Sequence, residues 1–214
     1  MQIESKPSIE EIVNSITHGL GVVLSIAGLI VLVVLGAIHG NAWHVVSFSI
    51  YGSTLIILYL ASTLYHSFQK PKLKRVFKIL DHSAIYVLIA GTYTPFMLVN
   101  LRGPWGWSLF GIIWGLAILG IIFKLFFIDR YERLSLVIYL LMGWICIVAA
   151  KQMMLEIPMG GLAWLIAGGL LYTLGVLFFR WEKLRYNHAI WHLFVLGGSI
   201  CHYFSILFYV LPKT

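Results

Sequence analysis

The chain has 214 residues, of which 60% are hydrophobic and only 11% charged, and its mean hydropathy is +0.92. Soluble domains carry about 25% charged residues, so water is excluded as the main solvent, and the length is better read as a series of apolar segments of about 20 residues. A net charge of +7 would suggest nucleic acid in a soluble protein; here the placement of the charges matters more, and no nucleic-acid partner is expected.

The polar start, MQIESKPSIEEIVNSITHG, has neither the basic region nor the cleavage site of a signal peptide, so the first apolar run is expected to be retained. In it, Ser8 can cap a helix while Glu11 reaches back to complete a capping box. Ile9, Ile12, Val13 and Ile16 then share one helical face at the membrane surface. Seven apolar windows follow, at about 16–38, 44–66, 79–99, 106–127, 135–154, 161–179 and 188–210. Short polar connections such as HGN, QKPKLKR, NLRGPWG and RWEKLRYN separate them, leaving no room for a soluble domain. The fold class is therefore an all-α integral membrane protein, one bundle of seven transmembrane helices over residues 1–214.

Direction follows from the basic residues. Lys6, Lys70, Lys72, Lys74, Arg75, Lys78, Lys124, Arg130, Arg133, Arg180, Lys183 and Arg185 collect at one side, against only Arg102, Lys151 and Lys213 at the other. Positive loops stay in the cytoplasm, which predicts a cytoplasmic N-terminus and an extracellular C-terminus in a multi-pass protein of the plasma membrane. Trp43, Trp105 and Trp107 fall at predicted outer ends and Trp181 at an inner end, as interfacial belts require. Gly111 and Gly115 of GIIWG, and the Gly197–Gly198 pair, are expected to let helices approach closely. Cys146 and Cys201 stand apart in apolar runs and are read as packing residues.

On this topology His66 falls at the inner end of the second span, with Ser62 one turn deeper on the same face, about 6 Å along the axis. Asp81 falls in the first turn of the third span and His18 opens the first. His188 and His192 occupy the first two turns of the seventh. Five groups able to bind a metal or move a proton thus share one depth in the inner leaflet. His39 and His44 read as ordinary interfacial histidines of the outer side. His202 lies about 15 Å beyond His192, too far to join the cluster.

Ionisable groups in membrane spans are costly and face a partner in the bundle, and histidines at i and i+4 point the same way. Three imidazoles with one open position describe a catalytic zinc site, which His66, His188 and His192 can supply. Iron, nickel and copper also accept imidazole. Asp81 can deprotonate a water held by the metal, whose pKa zinc lowers to about 7, with Ser62 hydrogen-bonded nearby.

These residues resemble a known family. E-x-x-N-x-x-T-H (Glu11, Asn14, Thr17, His18), S-x-x-x-H (Ser62, His66), the aspartate of LDHSAIY (Asp81) and HAIWH (His188, His192) are similar to the signature set of the hemolysin III family. These are the bacterial members of the progestin and adipoQ receptor superfamily, and the likeness spans essentially the whole chain. The resemblance implies a seven-helix bundle with Zn2+ near the inner leaflet, held by His66, His188 and His192. Asp81 would contact the zinc through water, and Ser62 would lie close by. Glu11, Asn14 and His18 are expected to support the ligands from behind. Related adiponectin receptors and alkaline ceramidases are regarded as hydrolases of lipid amides, whereas the bacterial name implies lysis of red cells, and some relatives look like regulators of membrane fluidity. The long N-terminal extension of the receptors is missing here, so no protein hormone is expected as a partner. The motif reads DHSAI where the receptors have DYSGI, which leaves His82, like His202, without an assigned role.

Two functions follow as expectations. The first is a zinc-dependent intramembrane hydrolase of a lipid amide or ester, its substrate entering laterally from the inner leaflet. The second is a non-enzymatic cytolysin or regulator of the bilayer, with structural zinc tying the second and seventh helices. A transporter is disfavoured by the absence of mid-span charge in most helices and of an inverted repeat.

Overall fold

In hydrocarbon an unpaired backbone N–H or C=O costs several kcal/mol, so each apolar run closes its own hydrogen bonds as a helix. The computed structural model describes residues 8–212; Lys6 and Lys213 lie outside them. Seven helices long and apolar enough to span a membrane run Ile9–His39, Ala42–Ser67, Pro71–Asn100, Pro104–Phe127, Glu132–Glu156, Met159–Arg180 and Asn187–Tyr209, with no strand among the described residues. This is an all-α, multi-pass membrane protein.

The helices reach beyond the apolar windows at the basic end, and the reason is capping. Ser8 accepts a hydrogen bond from the Glu11 N–H, so the first helix starts at Ile9. Pro71 opens the third helix, where its missing N–H costs nothing. Two expectations change as a result. Asp81 lies ten residues past Pro71, well inside the third helix and not in its first turn. The capping box forms only by half, because the Glu11 carboxylate is engaged by other partners. At the opposite end, His44 is buried and not interfacial: its Nδ1 accepts from the Asn41 N–H at 3.1 Å, completing a true capping box there. His39 is exposed.

The second and third helices form the centre of the bundle, with 56% and 61% of their apolar windows buried, against 17% for the fifth and sixth. The first helix packs on the second and seventh, the third on the fourth, and the sixth on the seventh. The fifth touches its neighbours sparsely. It is also broken: an α-helical stretch (Glu132–Gly143) gives way to a 3-10 turn (Ile145–Ala149) before resuming at Ala150. The Tyr93 hydroxyl spans the break, donating to the Gly143 carbonyl at 2.7 Å and accepting from the Cys146 N–H at 3.1 Å. The third helix is irregular too. Pro95 lacks an N–H, and the chain widens into a π-turn over Phe96–Asn100, closed by Leu101 N–H to Phe96 C=O at 2.9 Å. π-bulges of this kind re-satisfy backbone freed by proline.

At the basic end, Lys78 donates to Asp129 at 2.9 Å. That ammonium holds the Asp129 carboxyl below its usual value. A depressed carboxyl stabilises the fold above its ordinary pKa of about 3.9 and loses that contribution as pH falls; for so exposed a pair it amounts to about 1 kcal/mol at most.

Close approach occurs where glycines face neighbouring side chains. A Cβ at Gly91 would run into Thr54 of the second helix, and one at Gly198 would meet the Tyr172 ring at 2.9 Å, whereas Gly111 and Gly115 face open space. The expectation for GIIWG is thus overturned: the fourth helix turns those glycines away from any neighbour. Overpacking a tight core costs about 1–3 kcal/mol, while an exposed helical glycine costs up to about 1 kcal/mol relative to alanine. Gly91→Ala should therefore lower the unfolding temperature in detergent, and Gly111→Ala should leave it unchanged or raise it.

Candidate metal centre

The second helix ends at Ser67, so His66 occupies its last turn. The seventh begins just after Tyr186, whose φ of 58° is left-handed and reverses the chain. The Asn187 amide then donates to the Phe179 carbonyl at 3.0 Å, tying the start of the seventh helix to the sixth. This fixes His188 and His192 one turn apart, facing His66. The ring centroids are separated by 5.0 Å (His66–His188), 5.1 Å (His66–His192) and 4.7 Å (His188–His192). One nitrogen from each can be chosen so that all three lie within 4.8 Å of one another.

A ring nitrogen is free for a metal only if the other carries the proton. His66 Nδ1 donates to Glu11 Oε2 at 2.8 Å, which leaves Nε2 buried and without a partner. The Lys74 ammonium donates to the other Glu11 oxygen at 3.0 Å. His192 Nδ1 donates to the Asn14 carbonyl at 3.3 Å and faces Thr17 Oγ1 at the same distance. Thr17 directs its own proton to backbone carbonyls at 2.9–3.0 Å, so its lone pairs are available to His192. Nε2 is therefore the nitrogen of each ring left free to meet a metal. His18 is not one of the three: its ring stacks on His192 at 3.5 Å between centroids, with its edge on Tyr59.

Five of the nine buried side-chain polar atoms without a partner among the described residues belong to this cluster: His66 Nε2, Ser62 Oγ, Asn14 Oδ1 and both nitrogens of His18. Buried polar atoms are nearly always paired, so such a concentration marks a place built for a ligand. Around a tetrahedral zinc at 2.0–2.1 Å, ligand nitrogens stand roughly 3.4 Å apart, the same order as the spacing here. The donor set fits a divalent cation that favours imidazole.

Asp81 and Ser62 lie beside the triad. Asp81 is near His66 and next to Ser62, whose hydroxyl is outside hydrogen-bonding geometry. His82 Nδ1 donates back to the Lys78 carbonyl at 2.9 Å. Asp81, Ser62, His188 and His192 border a cavity of about 440 Å³. It runs past Ile85, Tyr139 and Val195 to Met153 and His202, nearly the length of the bundle. His202 sits far from the triad, as its spacing predicts, and its Nε2 donates to the Leu165 carbonyl at 3.2 Å.

The family model described as Haemolysin-III related matches residues 8–203. The chain belongs to the haemolysin III family. Hemolysin-3 of Bacillus cereus is 57% identical over 205 residues, covering 96% of this chain and 94% of the relative. The Hemolysin-3 homolog of Bacillus subtilis (strain 168) is 51% identical over 200 residues, covering 94% of each. The human Monocyte to macrophage differentiation factor is 32% identical over 207 residues, 94% of this chain and 84% of that protein. The resemblance read from the four motifs is borne out, and with bacterial relatives at this level the plasma membrane is the expected home of the chain.

Within this haemolysin III fold, two supporting roles escape the sequence reading. Thr17 and Lys74 act through neighbours on other helices. The signal for Thr17 was present, one residue before His18, but its direction toward the seventh helix is a tertiary fact. Glu11 was singled out as a support, and its carboxylate is what orients His66. Because partners of ligating histidines are worth about 10–100-fold in metal affinity, Glu11→Ala should weaken metal binding by that factor in competition with a chelator. Ser8→Ala, which removes only the cap, should leave the affinity unchanged.

Proposed function

We propose that this haemolysin III family member is a zinc-dependent hydrolase that cleaves an amide or ester of a membrane lipid, with its basic end in the cytoplasm. One observation carries the reading: of three imidazoles that could hold one metal, His188 and His192 open, together with the Asp81 carboxylate, onto the end of a long, mainly apolar cavity. A purely structural site would call for closed coordination and no cavity.

His66, His188 and His192 would hold the metal. Bound zinc supplies Lewis acidity, polarising a carbonyl and making water acidic near neutral pH. The protein's own residues do the rest. Asp81 accepts the proton of the attacking water as oxygen adds to the acyl carbon. It returns that proton to the departing nitrogen or oxygen as the carbon–nitrogen or carbon–oxygen bond breaks. Ser62 stands beside the Asp81 carboxylate, where a small shift would let its hydroxyl donate to it, and the apolar walls around Ile85 and Val195 hold the acyl chain and exclude bulk water. The sparsely packed fifth helix supports lateral access for lipid between helices.

A second reading, a cytolysin or bilayer regulator with a structural metal, is favoured by the name of the Bacillus cereus relative, Hemolysin-3. The mainly apolar walls of the cavity argue against an ion pore through one chain.

Elemental analysis of detergent-purified protein should find about one zinc per chain, lost in the His188→Ala/His192→Ala double variant. Metal-free, well-folded wild type after zinc supplementation would sink the hydrolase. Asp81→Asn should keep the metal while turnover of a membrane lipid amide or ester falls by about 10²–10⁴-fold. Unchanged turnover would remove Asp81 from the chemistry.

A further inference from the structure

Lys124 is a cation in the wrong place for a topology signal. It lies near the end of the fourth helix, where a lysine ordinarily lays its stem along apolar surface and keeps the ammonium in water. Its side chain is instead only 1% exposed. Among the described residues no carboxylate lies within ion-pair distance of it, although Lys78 and Lys74 both have such partners. Its charged neighbours are Lys78 and Glu132, with His82 close by. Lys78 is satisfied by Asp129, and Glu132, though exposed, borders the same cavity as Lys124 without forming an ion pair with it. A buried ammonium with no carboxylate in contact is costly and marks a functional position inside a membrane.

Lys124 also lines the large cavity, as do His82, Asp81 and His188. At this end the cavity thus has the Lys124 ammonium on the fourth helix, Glu132 at the start of the fifth and the two candidate ligands His188 and His192 on the seventh, while its remaining length is mainly apolar. We infer that Lys124 is the recognition residue for an anionic lipid headgroup, taking a phosphate or carboxylate while the chain of the same molecule fills the apolar cavity. The inference rests on reading the cavity as a lipid site, and it holds whether or not the lipid is cleaved. It narrows the substrate class to acyl lipids that carry negative charge near the scissile group.

Trp144 and Trp191 line the cavity, so binding can be followed in the full chain by tryptophan fluorescence in a neutral maltoside detergent. The probes are dodecyl phosphate, dodecanol and inorganic phosphate. Wild type should bind dodecyl phosphate at least about tenfold tighter than dodecanol, one charge-assisted contact being worth at least that much, and inorganic phosphate should give no signal at matched concentration. Lys124→Met should lose about tenfold of that preference, and Lys124→Arg should keep it. Because any metal contributes equally to wild type and variant, their ratio isolates the lysine. Equal affinities in wild type, or a preference that Lys124→Met leaves undiminished, would overturn the assignment. So would inorganic phosphate binding as tightly as dodecyl phosphate, since the site would then serve a free anion. If the methionine variant does not assemble, Lys124→Gln takes its place in the same comparison. Since binding is read and not turnover, failure here leaves the Asp81→Asn result standing, and the reverse.

Discussion

The hydrogen bond from His66 to Glu11, 2.8 Å long, is the contact through which the rest of the site is organised. It places the proton on Nδ1 and so turns Nε2 inward. It also binds the second helix to the first, and Lys74 carries the chain of contacts on to the third. In a medium of low dielectric such a charge-assisted bond is strong, and an unpaired one is expensive. The first helix therefore starts at Ile9, early enough for its opening turn to carry Glu11 to the second helix. The same helix delivers Asn14 and Thr17 to His192, so one surface of one helix sets the orientation of two rings.

Around this contact the bundle divides its labour. The first four helices and the seventh provide tight packing, with side chains such as Thr54 meeting backbone at Gly91. The Tyr59 and Tyr172 hydroxyls converge on Ser199 at 2.7 and 2.8 Å, satisfying polar groups at mid-depth without a charge. The fifth helix packs more lightly, and it is against this helix that the cavity opens. Close packing on one side and a lightly packed wall on the other suit the proposed entry of a bulky apolar molecule.

Much of this was legible in the sequence. Seven apolar windows, their short connections and the bias of basic residues are dictated by the bilayer, so they survive without tertiary information. The metal group was legible because His66, His188 and His192 must each justify a polar ring near a span end. What was hidden depends on direction. Gly111 and Gly115 have the spacing of a helix contact, yet face open space, since spacing alone does not choose a face. The breaks near Pro95 and Trp144 sit inside apolar runs, where periodicity has little contrast to lose. His44 read as interfacial because its partner, the Asn41 backbone, carries no side-chain signal. Lys124 counted among the topology residues, and only the burial of its side chain separates it from the others.

The broken fifth helix shows a different economy. Tyr93 serves both sides of the fracture with one oxygen, so two peptide groups share a single fastener. That fastener projects from the third helix, which also carries Asp81. Bending of the fifth helix and the seating of the third are therefore mechanically linked through one atom. Removing that atom would strand a donor and an acceptor in hydrocarbon together, a loss that no change confined to the fifth helix could repair.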